Sequence, residues 1–400
     1  MEKNMSENNE CNQSIPIDDS LPGNLVLVSP EELLELAKSY YTGKGIAKNY
    51  EWAVRIFRYL SNRGNAEAQR NLGNCYYDGF GVPKDYEKAV ELYQKAADLG
   101  NACAQDNLGD CYYFGKGTNQ SYENAVIWYQ KAAEQNYAKA QNNIGYCFEK
   151  GLGVPQNYAK AAEWYQKAAE QGYVKAQYIL GCYYENGIGV PRDYRKAVEL
   201  YQKAANRGDP KSLCNLGSCY GNGLGVPKDY AKAAELFQQA ADLGNACAQD
   251  NLGDCYYFGK GTNQSYEKAV IWYQKAAEQN YAKAQNNIGY CFEKGLGIPQ
   301  NYAKAVEWYQ KSAEQGDAKA QFNLGICYKH GQGVPQNYAK AVEWYQKAAN
   351  QGDAKAQFNL GVCYYNGQGV SKNTATAKMW FEKAAVQGDQ RAIENLKKLY

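Results

Sequence analysis

Leu72-Gly73-Asn74-Cys75-Tyr76-Tyr77-Asp78-Gly79-Phe80-Gly81-Val82-Pro83-Lys84-Asp85-Tyr86-Glu87-Lys88-Ala89-Val90-Glu91-Leu92-Tyr93-Gln94-Lys95-Ala96-Ala97-Asp98-Leu99-Gly100 decides the fold. From Tyr86 onward the residues Ala89, Val90, Tyr93, Ala96 and Ala97 fall at the spacing of one helix face, which predicts an amphipathic helix, B. Asp85, just before it, is a short oxygen-bearing side chain suited to accept from the helix's first free N–H groups. Gly100 suits the left-handed conformation that closes a helix. Upstream, Ala68, Leu72, Gly73, Cys75 and Tyr76 again keep helical spacing and end at Gly79-Phe80-Gly81, where glycine permits a tight turn. The stretch therefore encodes helix A, a turn, and helix B.

Extending outward, Leu-Gly or Ile-Gly recurs with Gly at 73, 109, 145, 181, 217, 253, 289, 325 and 361, a constant period of 36. Ala37 holds the place one period earlier, so ten units run from about residue 30 to residue 396 without an insertion. Every unit carries a Gly-x-Gly, from Gly43/Gly45 to Gly367/Gly369, and an Asn, Asp or Ser at the cap position, from Asn49 to Asn373. Helix B is expected to stop at Gly64, Gly100, Gly172, Gly208, Gly244, Gly316, Gly352 and Gly388, and at Asn136 and Asn280 in the other two units. The landmark Gly inside helix A costs about 1 kcal/mol relative to Ala. Its recurrence predicts a compensating gain, the close approach of a neighbouring helix backbone.

The pattern Ala-x-Ala-Gln-x-Asn-Leu-Gly-x-Cys-Tyr-Tyr-x-Gly-x-Gly-Val-Pro-x-Asp-Tyr-x-Lys-Ala-x-x-x-Tyr-x-Lys-Ala-Ala-x-x-Gly resembles the Sel-1-like repeat, a relative of the tetratricopeptide repeat. The expected fold is an all-α, right-handed α-solenoid of about ten 36-residue helix-turn-helix repeats, because each unit buries its apolar face only against its neighbours. The resemblance, not the spacing, implies a non-catalytic adaptor or scaffold that binds protein or extended peptide on a concave helix A face. Some bacterial members of this family are rich in paired cysteines and are linked to β-lactams, which implies a second possibility, a β-lactam or peptidoglycan-related hydrolase. This chain departs from that pattern: its helix B ends in Lys95-Ala96-Ala97 and equivalents where the paired cysteine is expected.

Residues 1–28 are polar and punctuated by Pro16, Pro22 and Gly23, and are expected to be disordered. Ser29-Pro30-Glu31-Glu32 supplies a cap, a first-turn proline and a capping-box glutamate, so the repeat domain spans 29–400, ending in a helix that could cap the stack. Lys+Arg number 44 and Asp+Glu 42, a balance that offers no broad basic surface for nucleic acid. No apolar stretch approaches the roughly 20 residues of a membrane span, and the N-terminus lacks the order of a secretory signal. The expected location is cytoplasmic, with non-classical export left open, and the 13 cysteines are expected to be reduced thiols.

Residues 96–167 recur at 240–311, displaced by 144, with differences only at Asn124/Lys268, Val154/Ile298 and Ala162/Val306. Such a duplication presents one surface twice, which favours multivalent binding over a single active site.

Candidate chemistry is sparse. Cys75, Cys111, Cys147, Cys219, Cys255, Cys291, Cys327 and Cys363 share one position and are expected to be buried small hydrophobes. Zinc needs four converging ligands, which one Cys per unit and a single His cannot supply; no metal or other cofactor is implied. Cys103, Cys182, Cys214 and Cys247 lie elsewhere on helix A and are the candidates for reactive thiols. His330 precedes a turn glycine, and no nucleophile-elbow or phosphate-loop motif occurs. The regular Tyr, Phe and Trp positions of helix B, such as Tyr129 and Trp128, are assigned to packing between units.

The most informative polar feature is Asn two residues before the landmark Gly, at 71, 107, 143, 215, 251, 287, 323 and 359. A side-chain amide both donates and accepts, so this row has two open roles: gripping the main chain of a bound peptide, or bonding neighbouring repeats. Lys139, Lys175, Lys283 and Lys319 stand four residues earlier on the same helix face, and Tyr146 and Tyr290 belong to the variable row three residues later. These residues form the candidate binding face.

Overall fold

A computed structural model describes residues 28–399; the segment expected to be disordered lies, but for its last residue, outside them. The chain forms an all-α solenoid whose helices alternate as A and B. Its described residues fall into two compact units, 28–192 and 193–399. Neighbour-only contacts make this natural, because a linear array has no centre on which distant segments converge.

The first unit holds α1 (Pro30–Thr42), α2 (Tyr50–Ser61), α3 (Ala66–Asp78), α4 (Tyr86–Asp98), α5 (Ala102–Phe114), α6 (Tyr122–Glu134), α7 (Ala138–Lys150), α8 (Tyr158–Glu170) and α9 (Val174–Asn186). The second begins with α10 (Tyr194–Ala205), α11 (Pro210–Asn222), α12 (Tyr230–Asp242), α13 (Ala246–Phe258), α14 (Tyr266–Glu278) and α15 (Ala282–Lys294). It continues with α16 (Tyr302–Glu314), α17 (Ala318–His330), α18 (Tyr338–Asn350), α19 (Ala354–Asn366), α20 (Thr374–Val386) and α21 (Gln390–Leu399). Odd numbers are A helices and even numbers B helices.

The ends obey local chemistry. Each B helix begins at the predicted cap, whose side chain accepts a backbone N–H, as Asp85 does from Lys88 at 2.9 Å. Ser29 and Glu32 form the reciprocal capping box that opens α1. Each B helix is closed by a residue of positive φ, and where glycine is missing Asn136 (φ 60°) and Asn280 (φ 66°) take its place, the only such non-glycines among the described residues. The turn from A to B is pinned by the cap residue's own N–H, which reaches back into helix A: Asp85 N donates to Tyr76 O at 2.9 Å.

The landmark glycine answers to a different neighbour than the sequence suggested. A Cβ at Gly109 would stand 2.6 Å from the ring of Tyr129 on the paired B helix, so the space is claimed by an aromatic side chain. The B-helix backbone comes only second, as with Ala161 O at 3.3 Å from such an atom on Gly145. The tight backbone approach belongs instead to the second glycine of the turn: a Cβ at Gly81 would lie 2.5 Å from Tyr50 O, one repeat back.

The core follows from these contacts. Tyr165, Tyr201, Tyr309 and Tyr345 are fully buried, and the shared cysteine row is buried with them. Burial pushes the Cys111, Cys147 and Cys327 thiols up to about 12, as expected of inert hydrophobes. The tryptophans of helix B pack against the core as expected, and Trp380 is itself buried in it. Trp128 and Trp164 pack against the core edge, each beneath a lysine one turn on, with Lys131 3.8 Å and Lys167 4.0 Å from the ring centroid.

A second polar ladder was not anticipated. Gln141 on α7 donates to Ala133 O at the end of α6, and its own Oε1 accepts from Gln171 at 2.7 Å. Equivalent glutamines repeat this along both units, satisfying the carbonyls that helix B leaves open.

Candidate binding surface

The asparagine row stands on the A helices, and most of its amides turn toward the preceding repeat. Asn143 Nδ2 donates to Asp106 Oδ1 at 2.9 Å, Asn287 to Asp250 Oδ1 at 2.9 Å, Asn323 to Asn286 Oδ1 at 2.9 Å and Asn107 to Asn74 Oδ1 at 3.1 Å. Asn251 points its amide at the sulfurs of Cys214 and Cys247. Asn359 donates to Lys355 O and, like Asn71, is buried, so these two leave the candidate surface. Asn215 lies half-buried on α11. These amides bond within the stack, so a peptide approaching this face meets groups already oriented by the preceding repeat.

The lysines divide. Lys139 Nζ sits 2.7 Å from Asp106 and 2.8 Å from Asp110, and Lys283 repeats this with Asp250 at 2.7 Å and Asp254 at 3.0 Å. Their charge is matched within the fold. Lys175 and Lys319 are exposed and have no ion-pair partner among the described residues.

Asp106 and Asp250 are the residues sequence reasoning missed. Their side chains are wholly buried, each immediately before a member of the asparagine row, Asn107 or Asn251. Burial pushes each carboxyl up to about 6, opposed by the lysine ammonium and the asparagine donor. The available signal was an aspartate at a position that varies among Leu, Arg, Asn, Tyr, Cys, Phe and Glu in the other units, with a lysine 33 residues on. The neighbouring Asp110 and Asp254 accept from the hydroxyls of the core tyrosines Tyr129 (2.6 Å) and Tyr273 (2.7 Å). A net of Tyr, two Asp, Lys and Asn, rooted in one wholly buried carboxyl and open to solvent at the lysine, therefore underlies the surface in each duplicated copy.

Above each net lies a groove. The first, about 350 Å³, is lined by Asp110, Tyr113, Phe114, Tyr129, Asn142, Asn143, Tyr146 and Lys175. Each of these eight reappears 144 positions later in the second, about 750 Å³, from Asp254 to Lys319. The second groove also takes in Phe322, Asn323, Asp353, Ala354 and Lys355. The structure thus brings the predicted Asn143, Tyr146 and Lys175 to one place, and Asn287, Tyr290, Lys319 and Asn323 to another. Phe114 and Phe258, at 59% exposure each, add an apolar wall that helical spacing alone did not single out.

The described cysteines are all free thiols. No group of three His, Cys, Asp or Glu among the described residues is placed to hold a metal ion, and no described helix is long and apolar enough to cross a membrane.

The Sel1 repeat matches the chain ten times, over residues 33–65, 66–101, 104–137, 138–173, 174–209, 210–245, 248–281, 282–317, 318–353 and 354–389. Among solved structures, the chain is similar to c5321, a protective antigen of uropathogenic Escherichia coli strains displaying an SLR fold. They share 34% identity over 92% of this chain and 87% of that one, with a TM-score of 0.63. A Sel1 repeat protein from Oxalobacter formigenes shares 33% identity over 78% of this chain and 90% of its own, with a TM-score of 0.61. Among curated proteins none matches. The hydrolase alternative draws no support from these relatives or from the geometry.

Proposed function

Since the chain belongs to the Sel1 repeat family, we propose that it is a non-catalytic cytoplasmic adaptor that binds protein in an extended, peptide-like form along the A-helix face. The observation that carries this is the doubled groove: eight lining residues are reproduced in the second copy without a change. Each groove combines an exposed aromatic wall, an unpaired lysine and amides held in fixed positions by the net beneath. Aromatic faces supply area at little conformational cost, and the lysine selects acidic or carbonyl-rich segments.

Two copies on one chain suit a partner with two similar segments, because the second capture is intramolecular and raises the overall affinity. Panning a random peptide library on the immobilised full chain, followed by fluorescence anisotropy with the selected peptide, tests this. Two peptides bound per chain are expected, falling to one in Tyr146→Ala and to one in Tyr290→Ala. Binding that neither substitution alters would overturn the assignment of the grooves.

A further inference from the structure

One pair of thiols breaks the symmetry of the duplication. Cys214 on α11 is buried and Cys247 on α13 is half-buried. Asn251 Nδ2 brings them together across adjacent repeats, lying 3.6 Å from the Cys214 sulfur and 3.7 Å from the Cys247 sulfur. The Tyr281 hydroxyl also contacts Cys247. In the first copy Cys103 stands where Cys247 does and touches Tyr137 in the same way, but Arg70 occupies the place of Cys214 and Asn107 turns its amide to Asn74. The same surroundings thus occur once with a second thiol and once without.

The two sulfurs are not equivalent. The neighbouring Cys214, with Tyr281, the Lys283 ammonium and Asn251, draws the Cys247 thiol down against the opposing effect of burial. The same contact and burial hold the Cys214 thiol up. Cys247 is the half-buried, reachable sulfur and Cys214 the buried one beside it, which is the arrangement of an attacking and a resolving cysteine.

We propose that Cys214 and Cys247 form a redox site, closed to a disulfide by a peroxide and reopened by a thiol reductant. The Cys247 thiolate attacks a peroxide oxygen: an S–O bond forms, the O–O bond breaks, and the departing hydroxide takes up a proton to leave as water. The Cys214 sulfur then attacks the Cys247 sulfenic acid. An S–S bond forms, the S–O bond breaks, and the hydroxyl leaves as a second water with the Cys214 proton. The two thiols lose two electrons together, and the peroxide gains them. The product ties α11 covalently to α13, joining consecutive A helices beside the start of the second groove.

The reduced full chain, treated with one equivalent of hydrogen peroxide, alkylated with iodoacetamide and digested without reductant, tests this by mass spectrometry. The expected product is a linked pair of peptides carrying Cys214 and Cys247 that dithiothreitol releases. Cys214→Ser should abolish the link and let dimedone trap a sulfenic acid on Cys247. Should that variant lose its helical circular dichroism, Cys247→Ser serves instead, and Cys214 should then remain an alkylatable thiol after peroxide. Arg70→Cys should create a second link, between positions 70 and 103. Oxidation of Cys103 as fast as Cys247, or links formed only between chains, would overturn the proposal.

Discussion

The Phe381 ring occupies the space a side chain at Gly361 would need, its Cδ1 standing 2.7 Å from where a Cβ would be. Phe381 is 1% exposed and held by Phe358 with ring centroids 5.8 Å apart, so it has little room to give. Gly361→Ala gains about 1 kcal/mol of helix propensity but forces an overpacking cost of about 1–3 kcal/mol. The expected result is a lower thermal midpoint. In a Phe381→Leu background the clash is relieved, and the same alanine should be neutral or stabilising; circular dichroism melts of the four proteins decide it.

The hydroxyl of that aromatic position is satisfied unevenly. Tyr129 donates to Asp110 and Tyr273 to Asp254, while the Tyr345 hydroxyl is buried with no partner because Ile326 stands where those aspartates do. An unsatisfied buried hydroxyl costs about 1–3 kcal/mol, whereas a hydrogen bond to a charged group contributes about 1.5–3 kcal/mol. Tyr345→Phe should therefore be neutral or raise stability, and Tyr129→Phe should lower it. Paired urea titrations give the sign of each directly.

Repeats were legible in the sequence because their signals are local: caps, turn glycines and apolar spacing act within one or two helical turns, and Asp85, Gly81 and Asn136 do what their chemistry dictates. What sits opposite the landmark glycine was not legible, because helical spacing places Tyr129 on a face without saying which atom of the partner helix it meets. The candidate face was legible in part for the same reason. Asn143, Tyr146 and Lys175 share a helix-surface register that converges on one groove, but the Asp106 carboxylate that engages Asn143 comes from the preceding repeat. Contacts across repeats depend on the stagger between helices, which spacing along the chain does not encode.

Burial raises the Asp106 and Asp250 carboxyls to about 6, above the ordinary aspartate value of 3.8. A carboxyl whose folded pKa exceeds its unfolded pKa binds its proton more tightly in the folded state, so this contribution to stability is complete below pH 3.8 and is lost as pH rises through about 6. Each site is worth on the order of 1–3 kcal/mol over that window. Relative to the Asp106→Asn/Asp250→Asn variant, the parent chain should lose stability between pH 4 and pH 7 and stay level above it. Carbon-detected NMR titration of the two side-chain carboxyls, with midpoints near 6 expected, is the independent check, and midpoints near 4 would refute the assigned shift.

Asn287 and Tyr290 are neighbours on α15 that separate stacking from binding. Asn287 gives its amide to the buried Asp250 carboxylate at 2.9 Å, so Asn287→Ala removes a donor from a charge that water cannot reach. The loss should be about 1.5–3 kcal/mol of stability. Tyr290 is 38% exposed on the groove wall, and Tyr290→Ala should change the melt by no more than about 0.5 kcal/mol, as surface substitutions do. Peptide affinity should respond in the opposite order, with Tyr290→Ala weakening the second site by about tenfold or more, the scale of an aromatic anchor. If Asn287→Ala were instead to lower affinity while leaving the melt in place, the asparagine row would be a ligand grip, and its contact with Asp250 would contribute little to the stack.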